Sequence, residues 1–330
     1  MKISDGVFTY RGRSGKNIRR GSGSANVTVV KGDSIAFIDT GVSAGGAFAD
    51  LIAEIESDSI DMSNINWILF THCHWDHINA ADKLISSNKI NIAAGNLDIP
   101  YIEDREKYIN DFTSSHFGPF EKEIFPHPRL LTKLMIWFVF GSQPKNLIVN
   151  RRLENGNIID IGRKIEAISL PGHTEGHMGY LIQDSGILVT GDLFDFENAF
   201  GMDINNHFSN YEAALASLEK VRQIDPEIII PGHGEPTTSK SASRSLIERA
   251  LASGLLYPDI IKTALKGSPL PLAKLSQKAF PNIPLSMSSM TMMLVLSVLM
   301  HMESHGIVSR NSFGKKNIWN LSNLQGFSHM

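Results

Sequence analysis

Apolar positions fall into short runs with two different spacings. Residues 26–30 and 34–38 are rich in β-branched and aromatic side chains and flank Lys31-Gly32-Asp33, the pattern of two strands joined by a hairpin turn. Phe48, Leu51, Ile52 and Ile55 recur at helical spacing, which predicts an amphipathic helix over 44–56. Residues 65–70 then read as a buried strand, 78–87 as a helix and 90–94 as another strand. Short strands follow at 147–149, 157–160 and 165–168, and 180–182 pairs with 187–189 around Asp184-Ser185-Gly186. Ser209-Asn210-Tyr211-Glu212 has the form of a capping box opening a helix with Tyr211, Ala214, Leu215, Leu218 and Val221 on one face. Asp225-Pro226 ends that helix, and 227–230 is the last strand of the series. Strands and helices alternating after a hairpin suit an α/β fold, an αββα sandwich.

Two stretches break the alternation. Residues 98–150 mix charged segments with aromatics and an apolar patch at 130–140, and read as a helical insertion over the sandwich. After about residue 240 the pattern becomes helical at 241–253, 257–265, 271–280 and 286–304. Strands at 306–309 and 317–321 then bracket Phe313-Gly314-Lys315-Lys316, a hairpin. Helices followed by a hairpin resemble a winged helix. The expected organisation is a catalytic domain over 1–240 and a winged-helix-like domain over 241–330.

Composition changes this picture little. At 330 residues, with 42% hydrophobic and 20% charged positions, the chain is ordinary for a globular protein. Its single cysteine, Cys73, excludes an intramolecular disulfide and fits a reducing compartment. The N-terminus lacks the apolar core of a signal peptide, and the apolar runs at 134–140 and 290–302 fall short of the ~20 residues of a membrane span, so a cytoplasmic protein is expected. Net charge is −3, but residues 241–330 carry nine Lys and Arg against three Asp and Glu, about +6, which leaves about −9 for 1–240. Such asymmetry suits an anionic ligand at the basic end or a solvated surface.

The chemistry lies where the strand at 65–70 runs into Thr71-His72-Cys73-His74-Trp75-Asp76-His77. His72 and His74, two apart, can converge on one ion, and Asp76 and His77 can reach a second beside it. Imidazole and carboxylate donors suit zinc, with iron or manganese as alternatives. Cys73 reads as a packing residue between two ligands, and His116 and His127 as surface histidines.

This run resembles the signature of the metallo-β-lactamase superfamily, and three later segments match that family in order: Leu170-Pro171-Gly172-His173-Thr174-Glu175-Gly176-His177, Val189-Thr190-Gly191-Asp192 and Ile229-Ile230-Pro231-Gly232-His233-Gly234. Asp39-Thr40-Gly41 resembles the family segment whose aspartate supports the metal loop without ligating. The resemblance implies one metal on His72, His74 and His173, a second on Asp76, His77 and His233, and Asp192 bridging both. It implies a metal-bridging hydroxide as nucleophile, with Asp76 also accepting a proton as the intermediate collapses. His177 is a candidate either for supporting the metal residues or for donating to substrate. Trp75 points to the glyoxalase II-like form of the motif. The first reading of function is therefore hydrolysis of a small ester, thioester or lactone. The alternatives are an RNA endonuclease or phosphodiesterase, suggested by the basic C-terminal part, and a mononuclear iron persulfide dioxygenase, whose motif can also read H-C-H-x-D-H. The expected partner is a small-molecule substrate, anionic if the basic part faces it. The patch at 130–140 would suit a homodimer contact.

Overall fold

Two facing β-sheets, covered on their outer sides by helices, make up the computed structural model, which describes residues 1–12, 23–85, 89–114, 120–124, 134, 137–138, 142–194, 202–204, 209–313 and 316–322. The first sheet begins with the antiparallel strands β1 (Lys2–Ser4), β2 (Val7–Tyr10), β3 (Val27–Lys31) and β4 (Ile35–Ile38). Helix α1 (Ala47–Ser57) crosses to β5 (Ile65–Leu69), and α2 (Trp75–Ile78) and α3 (Ala81–Ile85) lead to β6 (Asn91–Gly95). Helices α4 (Ile99–Glu103), α5 (Arg105–Ser114) and α6 (Glu121–Ile124) lie within the 98–150 interval before β7 (Arg151–Leu153). Strands β4 to β7 run parallel, in sequence order across the sheet.

The second sheet is ordered β12-β11-β10-β9-β8. Its strands β8 (Ile158–Asp160), β9 (Lys164–Ser169), β10 (Met178–Ile182) and β11 (Ile187–Gly191) are antiparallel, and β12 (Ile228–Pro231) joins β11 in parallel after helix α7 (Tyr211–Ile224). The C-terminal part holds α8 (Lys240–Leu265), β13 (Leu270–Pro271), α9 (Leu272–Ala279), α10 (Ser288–Ser304), β14 (Val308–Phe313) and β15 (Lys316–Leu321). Its three strands form a small antiparallel sheet, ordered β13-β15-β14.

Period-two alternation decides which layer each side chain enters. Ala36 and Ile38 of β4 and Leu69 of β5 face the second sheet and meet Ile165, Tyr180, Ile182 and Ile230. Phe37, Ile68 and Phe70 face outward and are covered by Ile55 of α1, Ile78 of α2, Leu84 of α3 and Ile102 of α4. Both faces of these strands are covered, so they read as continuous apolar runs rather than alternating ones. On the other side, Ile168, Leu188 and Ile229 pack beneath Leu218, Ile247, Val295 and Leu299, and the same core continues to Trp319. Among the described residues no helix is long and apolar enough to cross a membrane.

The helix expected at 78–87 is two short ones, α2 and α3, β1 and β2 are additional strands, and three further elements differ from the sequence expectation. Residues 147–149 form no strand: the Leu147 amide donates to Ile102 O and the Val149 amide to Glu103 Oε1, so the segment spends its donors on α4, and sheet pairing begins at Arg151. The cap of α7 is Asn210, whose Oδ1 accepts from the Ala213 amide at 3.0 Å; Ser209 instead offers its carbonyl to Ser297 Oγ. The two helices expected at 241–253 and 257–265 are one helix, α8, running through Pro258. Proline lacks the amide that would bond the carbonyl four residues back. That carbonyl, of Gly254, accepts instead from the Tyr211 hydroxyl at 3.0 Å. Most of the 130–140 patch, with His116 and His127, lies outside the described residues, while Leu134, Trp137 and Phe138 are about half exposed.

Candidate metal centre

Four loop segments at one rim of the sandwich bring the histidines and aspartates together. His72, His74, Asp76 and His77 follow β5, His173 lies between β9 and β10, Asp192 follows β11, and His233 follows β12. The donor atoms of His72, His74, His173 and Asp192 lie within 4.8 Å of one another, and so do those of Asp76, His77, Asp192 and His233. Asp192 belongs to both groups. Its Oδ2 is 3.9 Å from His72 Nε2, 3.3 Å from His77 Nε2, 3.5 Å from His173 Nε2 and 3.5 Å from His233 Nε2. His173 Nε2 is 2.9 Å from His74 Nδ1, and His233 Nε2 is 3.0 Å from Asp76 Oδ2.

These spacings fit divalent ions. Donors bound tetrahedrally at 2.0–2.2 Å from zinc stand roughly 3.4 Å apart. Among the described residues, the buried atoms His72 Nε2, His77 Nε2 and Asp192 Oδ1 have no hydrogen-bond partner, although buried polar atoms are normally satisfied. All three are metal-donor types, and two ions would satisfy them.

The surrounding residues fix ring orientation. Asp39 ends β4 with a left-handed backbone, φ 60°, which Asp tolerates better than most residues. Its carboxylate accepts from the Thr71 amide, from Thr71 Oγ1 and from His77 Nδ1, each at 2.8 Å. Thr71 Oγ1 also stands 3.0 Å from His72 Nδ1. These contacts turn the Nε2 atoms of His72 and His77 toward Asp192. His173 is held through Nδ1, 2.9 Å from the Asp203 carbonyl. Asn26 Nδ2 bonds the carbonyls of Pro231 and Gly234, one on each side of His233.

His177 takes the supporting one of the two roles open to it. It is fully buried, and its Nε2 accepts from the Asp192 amide at 3.1 Å. It therefore supports the backbone of the shared carboxylate. Burial, reinforced by the neighbouring His173, pushes its pKa down to about 3. Cys73 is buried in the outer cluster of the first sheet, as a packing residue, and burial pushes its thiol well above the usual range.

The site's charge balance calls for cations. Burial alone would lower the His233 pKa, but Asp192 and Asp76 outweigh it and push it up to about 10. His77 is likewise raised against burial by Asp192, Asp39 and Asp76. Asp192 is held well below the usual carboxylate range, its burial outweighed by His77 and His233. Without metal, protons on His77 and His233 are the counter-ions of Asp76 and Asp192. Divalent ions take over that role and displace them.

Three supporting residues were not read from the sequence. Asp203, Asp98 and Arg105 carry no motif. Asp98 stands three residues beyond β6, at the same rim as the metal loop, and that position was its only signal.

Comparison with known proteins agrees with this geometry. The profile of the Metallo-beta-lactamase superfamily matches residues 20–233. The chain is 26% identical over 286 residues to "Probable metallo-hydrolase YqjP" of Bacillus subtilis (strain 168), covering 79% of this chain and 82% of that protein. It is 28% identical over 210 residues to "Hydroxyacylglutathione hydrolase GloC" of Haemophilus influenzae, covering 62% of this chain and 84% of that protein. Its fold is similar to that of the metallo-beta-lactamase family protein TTHA1429 from Thermus thermophilus, with a TM-score of 0.76, 17% identity, and 97% of this chain and 100% of the other covered.

Proposed function

The chain belongs to the metallo-β-lactamase superfamily and is a metal-dependent hydrolase of it, and from that premise we propose that it cleaves a small ester, thioester or lactone at a binuclear centre. His72, His74 and His173 would hold one ion and Asp76, His77 and His233 the other, with Asp192 between them. The observation that carries this reading is the sharing of Asp192 by two groups of donor atoms, each group within 4.8 Å. Two divalent ions held by these residues would supply a hydroxide at neutral pH and polarise the scissile carbonyl.

The chain's own residues orient that chemistry. Asp39 and Thr71 fix the rings of His77 and His72, and Asp203 fixes His173. Asp76, the more exposed of the two carboxylates in the centre, is assigned the proton that leaves as the intermediate collapses. No serine or cysteine nucleophile is required. Imidazole and carboxylate donors suit zinc, with iron or manganese as alternatives. The thioester preference is supported by similarity to a protein named for hydrolysis of hydroxyacylglutathione, itself a thioester. Residues 241–330 are read as a winged-helix-like module whose wing is the β14–β15 hairpin.

Elemental analysis of protein purified without added metal, followed by turnover of thioester, lactone and RNA substrates, tests the reading. Two ions per chain with thioester or lactone hydrolysis is the expected result. Cleavage of RNA alone would replace the substrate class. One iron per chain, with oxygen consumed on a glutathione persulfide, would overturn hydrolysis in favour of a dioxygenase.

A further inference from the structure

Cys73 sits between two histidines of the first donor group, and both of its peptide groups are held by buried charges from one short segment. Asp98 Oδ2 accepts from the Cys73 amide at 2.9 Å. Arg105 Nη1 donates to the Cys73 carbonyl at 2.8 Å and to the Tyr101 carbonyl at 2.8 Å. The backbone flanked by His72 and His74 is thus gripped from both ends. Asp98 also reaches the other sheet. Its Oδ2 accepts from Thr174 Oγ1 at 2.8 Å, and its Oδ1 from the Gly176 amide at 2.9 Å. Thr174 directly follows His173, so one carboxylate ties the loop of His72 and His74 to that of His173. The fit is close, because a Cβ at Gly176 would overlap Asp98.

Both charged residues are almost entirely buried, Asp98 at 2% and Arg105 at 1% exposure. Charged side chains are seldom buried so deeply without a structural or chemical demand. The Arg105 guanidinium lies 4.0 Å from the centre of the Tyr108 ring, which stands edge-on to His74. Among the described residues, Asp98 bonds the metal loop at Cys73, between His72 and His74, whereas His77 is held by Asp39 and the His233 segment by Asn26.

We infer that Asp98, with Arg105, is a positioning residue for one half of the metal centre, setting the spacing of His72, His74 and His173, whereas Asp39 bonds His77 directly and reaches His72 only through Thr71. This rests on the binuclear reading above. The affinity of the first group can then be altered at Asp98 without removing a direct support of His77 or His233.

Zinc titration of the metal-free protein against a chromophoric chelator, with circular dichroism as a folding check, tests the inference. His74→Ala and His233→Ala serve as references for loss of the first and second group. Asp98→Asn is expected to weaken the first group by about 10–100-fold, the usual cost of removing a partner that orients a ligand, and to leave the second unchanged. Thr174→Val, which removes one hydrogen bond and no charge, is expected to act on the same group by a smaller factor, and decides the matter if Asp98→Asn does not fold. Equal weakening of both groups would show a general folding role and overturn the inference. Unchanged binding by both variants would overturn it while leaving the binuclear reading intact. Failure of the unmodified protein to bind two zinc ions would overturn both.

Discussion

Asp39 Oδ2 stands 2.8 Å from Nδ1 of His77, although Asp39 directly follows β4 and His77 lies in α2, beyond β5. The same carboxylate holds the Thr71 amide and hydroxyl, so one side chain fixes where the metal loop starts and how its last histidine is turned. Asp39→Asn keeps the shape and tolerates the left-handed backbone, but its amide group can satisfy only part of three donors. The expected result is a loss of about 10–100-fold in affinity at the group containing His77, with little change in the melting temperature of metal-free protein. Zinc titration and thermal melts of the two proteins check it.

Gly232 packs against the shared carboxylate. Its amide donates to the Gly191 carbonyl at 2.8 Å, and a Cβ added there would overlap Asp192 Oδ1. The backbone cannot retreat, because the Asn26 amide bonds the Gly232 carbonyl at 2.7 Å. Gly232→Ala must therefore displace Asp192. Since that residue serves both groups, both affinities should fall together, by more than about tenfold, in contrast to Asp39→Asn, whose effect is greatest at the group of His77. Metal stoichiometry by elemental analysis after dialysis distinguishes the two patterns.

The ligand set was legible because it is written in short continuous strings. H-x-H-x-D-H after a strand, and Gly-His or Gly-Asp at later strand ends, name their own chemistry. Asp98, Arg105 and Asp203 were not legible, because each acts through a loop brought to it by the fold. The strands at 26–30, 34–38 and 65–70 were clear from their apolar runs, whereas β1 and β2 are short and meet at Gly6, φ 70°, without a strong pattern. The break expected at 254–256 falls at Gly254 and shortly before Pro258, residue types that ordinarily interrupt helices. Tertiary packing overrode that preference. Gly254 lets Met202 and Leu215 approach closely, and Tyr211 serves the carbonyl that Pro258 leaves without an amide.

That last contact makes a stability prediction. Tyr211 is buried, so Tyr211→Phe removes the hydroxyl and strands the Gly254 carbonyl, at an expected cost of about 1–2 kcal/mol. In a Pro258→Ala background the helix regains its own donor, and the same substitution should then cost measurably less. Urea titration of the four proteins in this double-mutant cycle gives the coupling. An identical cost in both backgrounds would mean that the hydroxyl does not replace the missing amide.

His177 gives the metal-free protein a definite response to acid. Burial and the adjacent His173 bring its pKa down to about 3 in the folded chain, against an ordinary value near 6.5. Between those two values the unfolded chain binds a proton that the native chain does not, so stability rises with pH across this window. Put the other way, the contribution of neutral His177 is fully present above about 6.5 and is lost as pH falls toward 3. Charging the ring would also put a proton on the nitrogen that now accepts from the Asp192 amide, removing that bond. His177→Gln can still accept from this amide through its side-chain oxygen and cannot titrate. Its unfolding free energy, measured by urea titration of chelator-treated protein from pH 7 to pH 4, should decline less steeply than that of the unmodified chain. Parallel curves would place the acid sensitivity on other groups, His72 first among them, because burial and three neighbouring imidazoles also hold it well below its ordinary value.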